Sequence, residues 1–156
     1  MPGKLQKELK QTKPFESLEE EVILNLARTT EYLVSRGAEV FKQADLTGTQ
    51  YNALRILRGA GAEGLSCGEI GERMVTTVPD VTRLLDRLEA RGLISRERPA
   101  NNRRVVITRI TEGGLRLLAE LDKPVVESHR RLAGHLGKKQ LTILNELLEA
   151  LRGRSD

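Results

Sequence analysis

The residues from Met74 to Thr111, MVTTVPDVTRLLDRLEARGLISRERPANNRRVVITRIT, change hydrophobic period from helical to alternating and hold the positive charge of the chain. Between Arg73 and Arg109 there are nine arginines, no lysine and four carboxylates (Asp80, Asp86, Glu89 and Glu97), a net of +5. The whole 156-residue chain carries 26 Lys and Arg against 22 Asp and Glu, a net of +4, so everything outside this window sums to −1. A basic surface confined to one short module is the electrostatic footprint of a polyanion binder, duplex DNA above all. Within the module Val81, Leu84, Leu85 and Leu88 recur at helical spacing. Residues 93–98 and 104–110 are rich in β-formers and are joined by Pro99-Ala100-Asn101-Asn102-Arg103. Proline cannot continue a hydrogen-bonded ladder and asparagine tolerates positive φ, which favours a hairpin over another helix.

The rest of the chain reads as helix. Ser17 and Glu20, Thr47 and Gln50, Ser66 and Glu69, and Thr77 and Asp80 share the spacing in which two side chains satisfy free amides at a helix start. Each pair opens an apolar-periodic stretch, which predicts helices over 17–44, 47–60, 66–74 and 77–91. Gly59, Gly61 and Gly64 predict a loop, and Gly92 a left-handed C-terminal cap. Thr111 reopens a helix with Leu115, Leu118 and Leu121 on one face, and Pro124 is expected to kink or restart it. Leu141, Leu144, Leu148 and Leu151 form a terminal stripe. The Lys- and Gln-rich residues 1–14 predict a loose arm or a short, frayed helix. The expected fold is mainly α with a small β-hairpin (α+β). It is organised as a flexible arm over 1–16, a helix over 17–46, a DNA-binding lobe over 47–111 and terminal helices over 112–152.

A short helix, a turn, a second helix and a hairpin follow the order of a winged helix-turn-helix. A helix fits the major groove, and its N-terminal residues reach base edges while its free amides favour phosphate. With Val81, Leu84, Leu85 and Leu88 inward, Thr76, Thr77, Asp80, Thr82, Arg83 and Arg87 face the groove or its phosphates. Arg83 is the expected base reader, since a guanidinium grips guanine bidentately. Thr77 reads as a cap and Asp80 as the acid of its capping box. Arg87 and Arg91 are either solvated, paired with Asp86 and Glu89, or in contact with DNA. At the hairpin tip Asn101, Asn102, Arg103 and Arg104 form a basic turn suited to an adjacent minor groove, where narrow DNA concentrates negative potential.

The run VTRLLDRLEARGLISRERPANNRRVVITRITEGGLRLL resembles the multiple-antibiotic-resistance regulator (MarR) family of bacterial transcription factors. The resemblance runs through Val81, Thr82, Arg83, Leu84, Asp86, Arg87, Leu88, Glu89, Gly92, Leu93, Arg103, Arg104, Thr111 and Gly113. It departs at Asn102, where the family has a wing acid, and at Pro79-Asp80, where the family more often has Ser, Thr or Ala. The resemblance implies an obligate homodimer built from helix 17–44 and the helices of 112–151. It also implies a pseudo-palindromic operator, repression, and release by a small aromatic or anionic effector bound between the DNA-binding and dimerisation regions. No cofactor is expected. Two other readings suit the same fold: a nonspecific architectural DNA binder and a protein-interaction module.

Other chemistry has little support. Cys67 follows the Ser66 cap, where a helix start could activate a thiol, yet a small buried residue inside the helix-turn-helix is the simpler reading. His129 and His135 are six apart, off the spacing that places two ligands on one helical face. No catalytic triad, phosphate loop or Cys-x-x-Cys pair occurs, so no enzyme activity is expected. No apolar run approaches the ~20 residues of a membrane span. The absence of a leader and the single cysteine fit a reducing cytoplasm.

Overall fold

The computed structural model describes residues 3–153. It divides into two units, the first ending at Arg36 and the second starting at Gly37, so the boundary falls inside a helix rather than at either end of one.

In the first unit Lys4–Glu8 form α1 with Leu5 buried. Gln6 Nε2 donates to the carbonyls of Gln11 at 3.3 Å and Lys13 at 3.1 Å. The segment read as a flexible arm is therefore the short helix of the two alternatives, fastened by its own glutamine. Helix α2, Leu18–Lys42, starts where expected. Ser17 Oγ accepts from the Glu20 amide at 3.1 Å, but the Glu20 carboxylate reaches the amide of Glu16 rather than Ser17, at 2.7 Å. Much of the apolar surface of α2 stays open, with Leu18, Ile23 and Val34 each more than 60% exposed.

The second unit carries the end of α2 and the core. Helix α3, Gly48–Ala60, opens on Thr47 with both bonds of the capping box to Gln50. Gly59 is the last turn of this helix, not a loop; the turn proper is a 3₁₀ segment over Gly61–Glu63, flanked by positive φ at Gly61 and Gly64. A strand missed by sequence patterning, β1 (Leu65–Ser66), is too short to show any period. Helix α4, Cys67–Arg73, repeats the full capping box through Ser66 and Glu69. Then come α5 (Val81–Ala90), β2 (Ile94–Glu97), β3 (Ile107–Ile110), α6 (Glu112–Ala133), a 3₁₀ turn over Gly134–Leu136 and α7 (Gly137–Arg152).

The three strands form an antiparallel sheet in the order β1-β3-β2, with Leu65 opposite Thr108 and Ile94 opposite Ile110. Beneath it Ala53, Leu54, Leu57, Ile70, Leu88 and Leu118 are fully buried. Arg58 grips Asp122 with two bonds, of 2.9 and 3.0 Å, between α3 and α6.

Two expectations need correction here. Helix α6 runs unbroken through Pro124, so the helix does not restart there. Proline removes one backbone donor, but buried Leu118, Leu121, Val125 and Ser128 on both sides hold the helix through it. Leu115 is 41% exposed, so the buried face turns through Leu118 and Leu121 instead. Among the described residues none of α7 is fully buried: Leu141 and Leu148 of the terminal stripe are half-buried, and Ile143 and Leu147 join Leu144 and Leu151 in an exposed apolar surface.

Candidate nucleic-acid interface

Helix α5 begins at Val81, four residues later than Thr77 predicts. Val78 precedes Pro79, which drives it out of the helical region, and the chain can turn helical only after the proline. Asp80 is the N-cap itself: its Oδ1 accepts from the Arg83 amide at 2.9 Å. Thr77 makes no cap, and the Thr77–Asp80 pair is not a capping box. This leaves Thr76 and Thr77 in an extended turn between α4 and α5. The side-chain carbonyl of Asn52, on α3, accepts from the Val75 amide at 2.8 Å and holds that turn. Sequence reading missed Asn52, since a lone half-buried amide carries no pattern.

The inward face of α5 is the predicted one, with Leu84, Leu85 and Leu88 buried and Val81 packed against the core. A Cβ on Gly71 would lie 3.5 Å from Val81 Cγ2, an ordinary contact, and one on Gly68 would meet open space, so neither glycine is required by a close helix crossing. On the other side Thr82, Arg83 and Arg87 are exposed. All nine residues singled out from the sequence, Thr76, Thr77, Asp80, Thr82, Arg83, Arg87, Asn102, Arg103 and Arg104, are open to solvent. Cys67 is half-buried with its Sγ 3.7 Å from Thr82 Oγ1, and His129 and His135 are exposed.

The nine arginines divide by what they hold. Arg96 on β2 reaches back to α5, 2.6 Å from Asp86 and 2.9 Å from Glu89. Arg98 donates to the Arg103 carbonyl at 2.7 Å. Arg109 donates to the Ala62 carbonyl at 2.6 Å and pairs with Glu97. Arg91 donates to the carbonyls of Asp45 and Ala44 at 2.6 and 3.0 Å. Asp86 and Glu89 therefore serve Arg96, not Arg87 or Arg91. Among the described residues the side chains of Arg73, Arg83, Arg87, Arg103 and Arg104 have no hydrogen-bonded or ion-paired partner. Asp86 and Glu89, three apart on the outward side of α5, were the sequence signal that a cation must stand opposite them.

Strand β3 starts at 107 instead of 104 because residues 99–106 form the wing tip. The Asn102 amide donates to the Pro99 carbonyl at 3.2 Å, and Asn102 Oδ1 accepts from the Arg104 amide, also at 3.2 Å. Asn102 thus shapes the backbone of the tip and leaves both arginine side chains free.

The hydrogen bonds from Arg96 hold the Glu89 carboxyl below the usual carboxylate range, and those from Glu89 and Asp86 raise Arg96. The Glu89 contribution to stability is present above the unfolded-state value of about 4.3 and is lost as pH falls through the lower folded value. Acid unfolding followed by circular dichroism should accordingly show a shallower limb below about pH 4 in Glu89→Gln than in the wild type. Identical limbs would mean that the ion pair adds nothing to acid stability.

A helix with unpaired cations on its outer side, beside a basic tip on a short sheet, can place one element in a major groove and the other against the neighbouring backbone. A profile described as the MarR family matches residues 46–106. The chain is 43% identical to a MarR transcription factor from Planctomyces limnophilus, whose crystal structure it matches over 87% of its own length and 98% of that chain with a TM-score of 0.68. It is 28% identical to the HTH-type transcriptional regulator FarR of Neisseria gonorrhoeae over 88% of this chain and 93% of that protein. It is 26% identical to NadR, solved in complex with 4-hydroxyphenylacetate, over 92% of this chain and all of that one, with a TM-score of 0.69.

Proposed function

The chain belongs to the MarR family of transcription factors, and on that premise we propose that it is a homodimeric, sequence-specific DNA-binding repressor released by a small-molecule effector. The observation that carries this reading is the sorting of the arginines. Four hold the lobe together, while Arg83, Arg87, Arg103 and Arg104 project from α5 and the wing tip with no partner among the described residues. Side chains left free of internal partners at no structural gain are available to phosphates and base edges.

Arg83 reads a base in the major groove, Thr76, Thr77, Thr82 and Arg87 position the helix on the backbone, and Arg103 and Arg104 enter the adjacent minor groove. Asp80 acts first as the cap that sets where α5 begins. The second copy covers the exposed apolar surface that each chain presents on α2 and on α7, including Ile23, Val34, Ile143 and Leu147. Large exposed apolar side chains gathered on one helix are stable in water only when covered. Two-fold symmetry then sets two α5 helices about one DNA turn apart. NadR, a relative solved with 4-hydroxyphenylacetate, supports a small aromatic acid as the class of effector. The same premise supports reading the chain as a regulator rather than an enzyme.

Selection of bound duplexes from a random pool at about physiological salt tests the reading. The expected result is one two-fold-symmetric site with half-sites about ten base pairs apart, bound by a particle of twice the chain mass in sedimentation. Retention without enrichment would replace sequence-specific regulation with architectural binding. No retention of DNA would sink both and leave a protein-interaction module.

A further inference from the structure

We propose that Arg91 is a positioning residue for DNA recognition: it pins the C-terminal end of α5 to the elbow between α2 and α3, so that the recognition helix and that elbow move together. The inference rests on the DNA-binding reading above.

Helix α5 has 10 residues, and its two ends are held by different means. At the N-terminus Asp80 caps locally. Arg91 follows the last turn, and Gly92, at φ 70°, swings the chain away toward β2. The guanidinium of Arg91 crosses to another part of the lobe, where Nη1 donates to Asp45 O at 2.6 Å and Nη2 to Ala44 O at 3.0 Å. One planar fork on two successive carbonyls is a geometry that lysine cannot reproduce. The carbonyls at a helix C-terminus lack intrahelical partners and carry partial negative charge, which a cation satisfies.

The elbow is itself tightly held. The amides of Ala44 and Leu46 both donate to the Phe41 carbonyl, at 3.1 and 3.0 Å, and the Asp45 amide donates to Lys42 O at 3.0 Å. Asp45 takes a left-handed φ of 52°, Leu46 is buried in the core, and Thr47 caps α3. A shift of this elbow therefore pulls on the end of α5. At ~1.5 Å per residue α5 is ~15 Å long, so a tilt of ~5° displaces one end by ~1 Å. That distance is enough to break a bidentate contact from Arg83.

With its fork occupied, Arg91 does not serve as a phosphate contact, and the two roles separate experimentally. The test measures amide hydrogen exchange of the wild type, Arg91→Ala and Arg91→Lys, each free and bound to the duplex enriched from the random pool. In the wild type, DNA is expected to slow exchange at α5 and at the amides of Ala44, Asp45 and Leu46. In Arg91→Ala, DNA still slows α5 but no longer slows 44–46, and affinity falls about three- to tenfold with an unchanged salt slope. Arg91→Lys, which keeps the charge but not the fork, falls between the two and carries both readouts should the alanine variant fail to fold. Slowing at 44–46 that persists at the wild-type level in both variants overturns the proposal, as does a salt slope reduced by about one, the signature of a phosphate no longer neutralised. If the wild type binds no duplex, exchange changes nowhere and the DNA reading falls together with the inference.

Discussion

Replacing Gly114 with alanine is expected to cost about 2 kcal/mol or more of stability, while the same change at the adjacent Gly113 is expected to be neutral or slightly stabilising. Both glycines stand in the first turn of α6, where alanine would on propensity alone be favoured by up to about 1 kcal/mol. Their surroundings decide otherwise. A Cβ on Gly114 would lie 2.4 Å from the Leu93 carbonyl oxygen and 2.6 Å from Ile110 Cγ1. The carbonyl is backbone and is already engaged by the Thr111 amide at 3.1 Å, so it cannot swing aside without opening the joint between sheet and helix. A Cβ on Gly113 meets nothing nearer than the Gly92 carbonyl at 3.5 Å, an ordinary contact. Thermal unfolding should separate the two variants by roughly 5 °C or more, at about 2–4 °C per kcal/mol for a chain of this size. Equal melting temperatures would mean that β2 and α6 are not packed this closely.

The double substitution Arg103→Ala and Arg104→Ala is expected to weaken operator binding by about 2–6 kcal/mol, at roughly 1–3 kcal/mol for each arginine withdrawn from a groove, with the melting temperature unchanged. Both side chains are exposed and make no bond among the described residues, so removal leaves nothing unsatisfied. The tip keeps its shape because Asn102 and Arg98 hold it through backbone atoms. The salt slope should fall by about two if both arginines meet phosphates. Arg83→Ala differs in kind: it should relax discrimination at one base pair while retaining most nonspecific affinity. Titration against the selected duplex and against scrambled DNA, over a range of salt, measures both. Unchanged affinity in the double variant would remove the wing from the interface.

Much of this architecture was legible in the chain itself. Thr47 and Gln50, and Ser66 and Glu69, predicted helix starts that the structure reproduces with both reciprocal bonds, because a capping box closes within four residues and needs no distant partner. The inward stripe of α5 was readable for the same reason, as periodicity is local. The pair Thr77 and Asp80 has identical spacing and failed, since Pro79 between them governs the backbone more strongly than a side-chain bond to an amide. The resemblance to the family singled out Gly113, whereas the glycine that packing requires is Gly114.

Composition and order along the chain determined where the charge lies, which segments coil into helices, and that a hairpin follows the recognition helix. Nothing in that order distinguishes one arginine of the module from another. The division into Arg91, Arg96, Arg98 and Arg109, which hold the lobe, and Arg83, Arg87, Arg103 and Arg104, which face outward, was decided by tertiary structure. A hydrogen-bond partner 46 residues away, as Asp45 is for Arg91, comes within reach only when the chain has folded around its core, and spacing along the sequence does not encode that distance.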